Sequence, residues 1–236
     1  MNNPIALVTG ASRGLGLALA AGLAREGYSL VLDARDPAML RNAAAGLPAS
    51  QGTVVPIPGD VTSPAHRAEL RDAVAGLGGL DLLVNNAGTL GASPLPALAD
   101  YPVDALRAAF EVNVLAPVAL TQLLLPALRK RSGAVLNITS DAAVEAYSGW
   151  GGYGAAKAAL EQASNVLAAE EPTIRVWWVD PGDLRTGMHQ QAFPGEDISD
   201  RPLPDAVVPA FLRLVTERLP AGRYRAAELM PSGARS

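Results

Sequence analysis

The 236-residue chain contains no cysteine, which excludes a disulfide framework, a thiolate metal site and a cysteine nucleophile. Histidine is almost missing too. His66 and His189 stand far apart, so zinc spacings such as H-E-x-x-H do not occur and no metal site is expected. Charged residues make up only 18%, and the net charge of −4 lacks the basic surplus that general affinity for nucleic acid requires. Aromatics are 5%, so the core must be built from Ala, Leu and Val. No apolar run reaches the roughly 18 residues of a membrane span before Arg, Asp, Pro or Gly interrupts it, so no membrane partner is expected. The first strand-like run starts at Ile5 with no charged and apolar leader before it, and a cytoplasmic protein is the expectation. Asn137-Ile138-Thr139 matches a glycosylation acceptor, but inside an apolar run the match reads as chance.

What the chain does have is alternation. Apolar runs at Ile5–Thr9, Ser29–Leu32, Val54–Ile57, Asp81–Val84, Ala134–Thr139 and Ile174–Val179 read as strands, with a weak one at Arg223–Ala226. Between them lie helical patterns at about 15–25, 37–45, 64–77, 103–129, 153–169 and 205–218. Gly27 stands where a helix C′ residue would, and the prolines of the third strand suit a sheet edge. Such alternation predicts a single α/β domain over 1–236: a doubly wound parallel sheet of about seven strands with helices on both faces. The stretch 187–204, rich in Gly, Pro, Asp and Gln, is expected to be a substrate-binding loop.

Thr9-Gly10-Ala11-Ser12-Arg13-Gly14-Leu15-Gly16 joins the first strand to the first helix. Glycines there allow a tight turn and close backbone approach to a pyrophosphate, and the helix start behind them offers free N–H groups. The spacing G-x-x-x-G-x-G departs from the G-x-G-x-x-G fingerprint, and no Gly-Lys-Ser/Thr follows, so phosphate hydrolysis is not indicated. After the second strand comes Asp33-Ala34-Arg35-Asp36, which holds both an acid suited to a ribose hydroxyl and a base suited to a 2′-phosphate. With Arg13 in the turn as a second guanidinium, the reading favours NADP(H) over NAD(H).

Tyr153 and Lys157 sit at i and i+4 on one helix face, with only Gly and Ala between them. Only two of the 19 basic residues are lysines, so a lysine in that position stands out. A phenol needs its anion favoured to act near neutrality, and a neighbouring ammonium is expected to lower its pKa. Ser140 closes the fifth strand at the sheet edge where ligands bind, and its hydroxyl could polarise a carbonyl there.

The ordered set Thr9–Gly16, Asp60-Val61, Asn85-Asn86-Ala87-Gly88, Asn113, Ser140 with Tyr153-x-x-x-Lys157, and Pro181-Gly182 with Thr186 resembles the short-chain dehydrogenase/reductase family over nearly the whole chain. The resemblance implies a Rossmann-type fold and hydride transfer between a nicotinamide cofactor and a small carbonyl or secondary alcohol. It implies four catalytic residues. Tyr153 would be the acid/base and Lys157 the group that tunes it and holds the nicotinamide ribose. Ser140 would orient the carbonyl, and Asn113 would anchor a relay water. Cofactor contacts are implied at Gly10, Ser12, Arg13, Gly14, Leu15, Gly16, Arg35, Asp60, Val61, Asn86, Ala87, Gly88, Tyr153, Lys157, Pro181, Gly182, Leu184 and Thr186. A homo-oligomer, dimer or tetramer, is implied as well. The 222–229 stretch lacks the family's usual Gly-Gly ending, which favours a dimer through the Asn113 and Tyr153 helices.

Three points come from the residues themselves. Pro117 cannot donate to the carbonyl of Asn113, which is expected to be left open for a water. Asp141 and Asp183 either face a cationic or polyhydroxyl substrate or bond backbone amides. Tyr147, Trp150, His189 and Phe193 are candidates to line the substrate pocket. Other readings are an NAD-linked alcohol dehydrogenase and a non-catalytic dinucleotide sensor.

Overall fold

The computed structural model describes residues 3–49 and 51–230. Its elements follow the chain as β1 (Ile5–Val8), α1 (Gly14–Arg25), β2 (Ser29–Ala34), α2 (Pro37–Ala45), β3 (Val54–Pro58), α3 (Pro64–Leu77) and β4 (Leu82–Asn85). Then come α4 (Val103–Phe110), α5 (Ala116–Arg131), β5 (Ala134–Ile138), α6 (Gly151–Glu170), β6 (Arg175–Asp180), α7 (Gly187–Ala192), α8 (Val208–Glu217), β7 (Gly222–Arg225) and α9 (Ala226–Leu229). The seven strands are parallel, in the order β3-β2-β1-β4-β5-β6-β7. The expected doubly wound architecture is therefore the observed one.

Helices cover both faces, so the inner strands bury both sets of side chains and read as unbroken apolar runs. Alternation shows instead in where each residue goes. Trp177 of β6 joins the core under α1 and α8 with Leu19, Leu23, Phe211 and Leu214. Its neighbour Trp178 joins the core under α3 and α5 with Leu70, Val74, Leu120 and Leu124. Helix ends follow local chemistry: Asp36 caps α2 by accepting from the Ala38 and Met39 amides, with Pro37 behind it. Gly27, at φ +82°, ends α1 with paired bonds from Gly27 N to Ala24 O and from Tyr28 N to Leu23 O. The strand with Pro56 and Pro58 does lie at the sheet edge.

The sheet order reverses between β1 and β4, and this opens a crevice above their carboxyl ends. Thr9 stitches the crevice floor. Its amide and hydroxyl donate to Val84 O, and its hydroxyl accepts from the Asn86 and Ala87 amides.

Three expectations change. Residues 103–131 form one 29-residue helical run that is long and apolar enough, by length and composition, to cross a membrane. The helix expected over about 103–129 is thus present, but Arg107, Pro117 and Pro126 do not break its apolar character below the length of a span. Here it serves as a core helix, with Leu120, Leu124 and Leu128 buried against the sheet. Residues 187–204 are less irregular than expected, because Thr186 caps the short helix α7 through the His189 amide. Helix α9 had no sequence signal, being four residues long.

Candidate active site

The turn after β1 shows why its glycines stand where they do. A Cβ on Gly16 would lie 2.4 Å from the Gly10 carbonyl, and Gly10 itself has φ +66°, a left-handed conformation that favours glycine. The Asn86 amide holds this turn from the β4 side by donating to the Thr9 and Gly10 carbonyls. Arg13, the first flanking residue of α1, makes no side-chain cap, so the helix start keeps its amides for a ligand. Ser12 and Gly14 lie on the rim, while the Leu15 side chain is buried in the core and only its amide can serve. Across the crevice, a Cβ on Gly14 would sit 3.6 Å from Thr186 Cγ2, so the turn faces the segment after β6. That segment carries Pro181, Gly182 and Leu184; Leu184 too is buried, whereas Gly182 opens on empty space.

At the β2 end, Arg35 is exposed and Asp33 is not. Asp33 points toward α3, where its Oδ1 lies 2.6 Å from His66 Nε2, and its carboxylate also accepts from the Gly10 amide. Burial pushes Asp33 up from its ordinary value despite these bonds, and the bond to Asp33 pushes His66 up. The acid that could have met a ribose hydroxyl is thus withdrawn. Asp60 accepts from the Thr62 amide and hydroxyl, which hold its carboxyl below the usual range, with Arg35 helping. Val61 is buried beside it.

At the other end, Gly154 lets α6 close on the turn that follows β5. A Cβ there would lie 2.5 Å from the Ala142 carbonyl. This close seat packs α6, which carries Tyr153 and Lys157, against the turn that begins at Ser140. Tyr153 and Lys157 are both buried, at 8% and 3% exposure, and Lys157 Nζ stands 5.5 Å from the centre of the phenol ring. The side chains therefore lie together. Yet Nζ donates to the Ile138 carbonyl, at 2.8 Å, rather than to the phenol. The expected lowering of the Tyr153 pKa is reversed: burial, reinforced by Asp180 and Asp141, raises it, and burial pushes Lys157 down to about 8. A cation over the ring, unbonded to the hydroxyl, does not outweigh desolvation and two carboxylates.

Ser140 Oγ donates to Asp141 Oδ1 at 2.9 Å and accepts from the Ala142 amide. Asp141 also accepts from that amide and from the Tyr147 hydroxyl. Asp183, being exposed, lies 3.8 Å from His189 Nδ1 and 3.7 Å from Arg201 Nε. Trp150 meets the Tyr153 ring edge-on at 5.7 Å, and Phe193 joins Trp150 to His189, so three of the four candidate pocket aromatics form one wall. Tyr147 stays outside it, exposed. A groove of about 570 Å³ is lined by Leu98, Tyr147, Trp150 and Ala158, among others, but by none of Ser140, Tyr153 or Lys157.

Asn113 is fully buried. Its side chain clamps the Thr89 backbone, donating to the carbonyl and accepting from the amide, and Gly88 sits against its Oδ1. It lies in a π-helical turn, Glu111–Leu115, where the Ala116 amide bonds back to the Glu111 carbonyl. This wider turn is how the helix admits Pro117.

Several supporting residues gave no sequence signal. Glu161, one turn beyond Lys157, accepts from the Thr139 hydroxyl and from Arg223 of β7, and Arg223 also donates to the Ser140 carbonyl. Asn137 is buried and bonds Asn85 of β4 and Ser164 of α6, which removes it from any glycosylation role. Asp180 is buried and accepts from the Gly182 amide. An uncapped helix start and two glycines that admit close backbone approach fit the pyrophosphate of a dinucleotide, and Arg35 stands exposed beyond β2.

The family model described as short chain dehydrogenase matches residues 4–197. A rhamnolipids biosynthesis 3-oxoacyl-[acyl-carrier-protein] reductase of Pseudomonas aeruginosa is 40% identical over 173 residues, which are 70% of this chain and 66% of that protein. The sepiapterin reductase of Rattus norvegicus is 37% identical over 201 residues, 80% of this chain and 77% of that protein. A short-chain dehydrogenase structure from Shigella flexneri, complexed with NADP, superposes with a TM-score of 0.87 at 30% identity, covering 96% of this chain and 98% of that one.

Proposed function

Because the chain belongs to the short-chain dehydrogenase/reductase family, we propose that it reduces a small ketone or aldehyde to the alcohol with NADPH as hydride donor. The observation that carries this reading is the buried pair of Tyr153 and Lys157, whose ammonium bonds the end of the strand that leads to Ser140. Two of the relatives are named as reductases, and a solved neighbour holds NADP.

The bound nicotinamide supplies the hydride. What the chain supplies is a proton and a place to put it. Burial keeps the Tyr153 phenol protonated, which suits a general acid facing a nascent alkoxide, a far stronger base than phenolate. Lys157, with its pKa near 8, keeps a mobile proton one helical turn away. The Ser140 hydroxyl turns from Asp141 to the substrate oxygen, and the aromatic wall of Trp150, Phe193 and His189 shields that oxygen from water. Arg35, and Arg13 on the turn, pair with the 2′-phosphate, a role for which the buried Asp33 offers no competition at the ribose.

The test follows NADPH consumption over a panel of aldehydes and ketones, with cofactor binding read by fluorescence. Tyr153→Phe should lower turnover by roughly 10²–10⁴-fold while NADPH binding stays nearly unchanged. Retained turnover would remove the assigned acid.

A further inference from the structure

Four charged side chains gather where β2 and β3 end: Asp33, Arg35, Asp60 and His66. His66 Nε2 lies 2.6 Å from Asp33 Oδ1, and both side chains are almost wholly buried, at 6% and 2% exposure. Asp60 feels Arg35 and His66 together. Gly59 provides the seat, since a Cβ there would lie 2.2 Å from His66 Nδ1. Two carboxylates thus stand against one exposed guanidinium and one buried imidazole. A 2′-phosphate arriving at Arg35 meets Asp33 only two residues away along β2.

We propose that His66 is a specificity-determining residue: by neutralising the buried Asp33 carboxylate it keeps the Arg35 subsite electropositive and selects the phosphorylated dinucleotide. This rests on the NADPH reading above. With His66 charged, the buried pair adds little net field at the ribose. With His66 neutral or absent, Asp33, at a pH above its own raised titration, stands as an uncompensated charge in a low-dielectric site and repels the 2′-phosphate much more than a ribose hydroxyl.

The other groups facing His66 are few. Glu69 of its own helix approaches Nδ1 at 3.5 Å from an exposed position, and Asp60 reaches it from the loop after β3. Arg67, next along α3, is occupied with the Val61 and Thr62 carbonyls. Toward β1 and α5 the helix presents the apolar Leu70 and Val74. The turn amide of Gly10 binds Asp33 from the β1 side, so the same pair also touches the pyrophosphate turn. That contact would affect both dinucleotides alike, which separates a positioning effect from a charge effect.

The experiment measures NADPH and NADH dissociation constants by fluorescence for wild type, Arg35→Ala, His66→Gln and Asp33→Asn/His66→Gln. His66→Gln should cut the preference for NADPH roughly fivefold, and the double variant should restore it, because the charge that remained is gone. Wild-type preference should also fall as pH rises through the His66 titration, a reading that needs no variant, and it should fall more steeply than in His66→Gln. Equal weakening of both dinucleotides in His66→Gln, or parallel pH profiles, overturns the proposal. Arg35→Ala separates the two layers. If it leaves NADPH binding intact, the 2′-phosphate reading falls and this inference falls with it. If it weakens NADPH alone while His66→Gln leaves the preference unchanged, only this inference fails.

Discussion

At the β2 end of the crevice, a buried carboxylate and a buried imidazole bond directly at 2.6 Å. At the α6 end, a buried phenol and a buried ammonium lie side by side without bonding, and the ammonium spends its hydrogen bond on the Ile138 carbonyl. The outcome differs in kind. Contact with Asp33 lifts His66 toward its charged form in spite of burial, whereas burial drives both Tyr153 and Lys157 toward their neutral forms. At His66 a direct hydrogen bond to a carboxylate outweighs burial, although at Asp33 burial still prevails; adjacency without a bond between the partners outweighs it at neither Tyr153 nor Lys157. The first pair is therefore built to hold charge, and the second to hold a proton that can be given up.

The largest expected effect tests the second pair. Lys157 has its folded pKa near 8 against an ordinary value of 10.5. Between those values the unfolded chain binds the additional proton, so stability rises with pH. Tyr153 works the opposite way only above pH 10, its ordinary value, where the unfolded phenol ionises and the folded one does not. From pH 8 to pH 10, wild type should gain about 2–3 kcal/mol relative to Lys157→Met in urea unfolding. Parallel profiles would show that the ammonium is not desolvated.

Next in size is Asp33→Ala, which strands His66 Nε2 and the Gly10 amide and should cost about 1–3 kcal/mol at pH 6. Lys157→Met removes a buried cation instead and should cost less than about 1.5 kcal/mol at the same pH, since Met fills most of the space. The pH sign is fixed by the raised values of both Asp33 and His66. Their contribution is fully present below the ordinary pKa of each group and lost as pH rises through its folded one. The Asp33→Ala penalty should accordingly shrink in alkali. Should Lys157→Met cost as much as Asp33→Ala, the contrast between the pairs would be void.

This contrast also marks what could be read from the amino acids in order. The fold was legible because a parallel sheet covered on both faces turns its strands into apolar runs, and because Gly27, Pro37 and Pro64 punctuate the helices locally. The glycine turn and the Tyr153–Lys157 spacing were legible for the same reason, since each is one local motif. The Asp33–His66 bond was not, because it joins side chains 33 residues apart, and Arg223 reaches Glu161 across 62. Protonation was misread at Tyr153. Burial sets its direction there, and burial belongs to the folded chain. The π turn at Asn113 lay in between: Pro117 announced a disturbed helix without announcing its form.

The smallest effect sharpens the first pair. Glu69 sits 3.5 Å from His66 Nδ1, but its carboxylate is 65% exposed and largely screened by water. An exposed ion pair of this kind contributes about 0.2–1 kcal/mol, so Glu69→Gln should lower the His66 titration midpoint by only a few tenths of a pH unit. The chain has two histidines, His66 and His189, so the imidazole resonances can be followed one by one by NMR. Asp33→Asn should move the same midpoint further, because the Asp33 bond is the stronger of the two influences on the ring. An equal response to the two substitutions would mean that the exposed carboxylate, and not the buried one, holds the charge on His66.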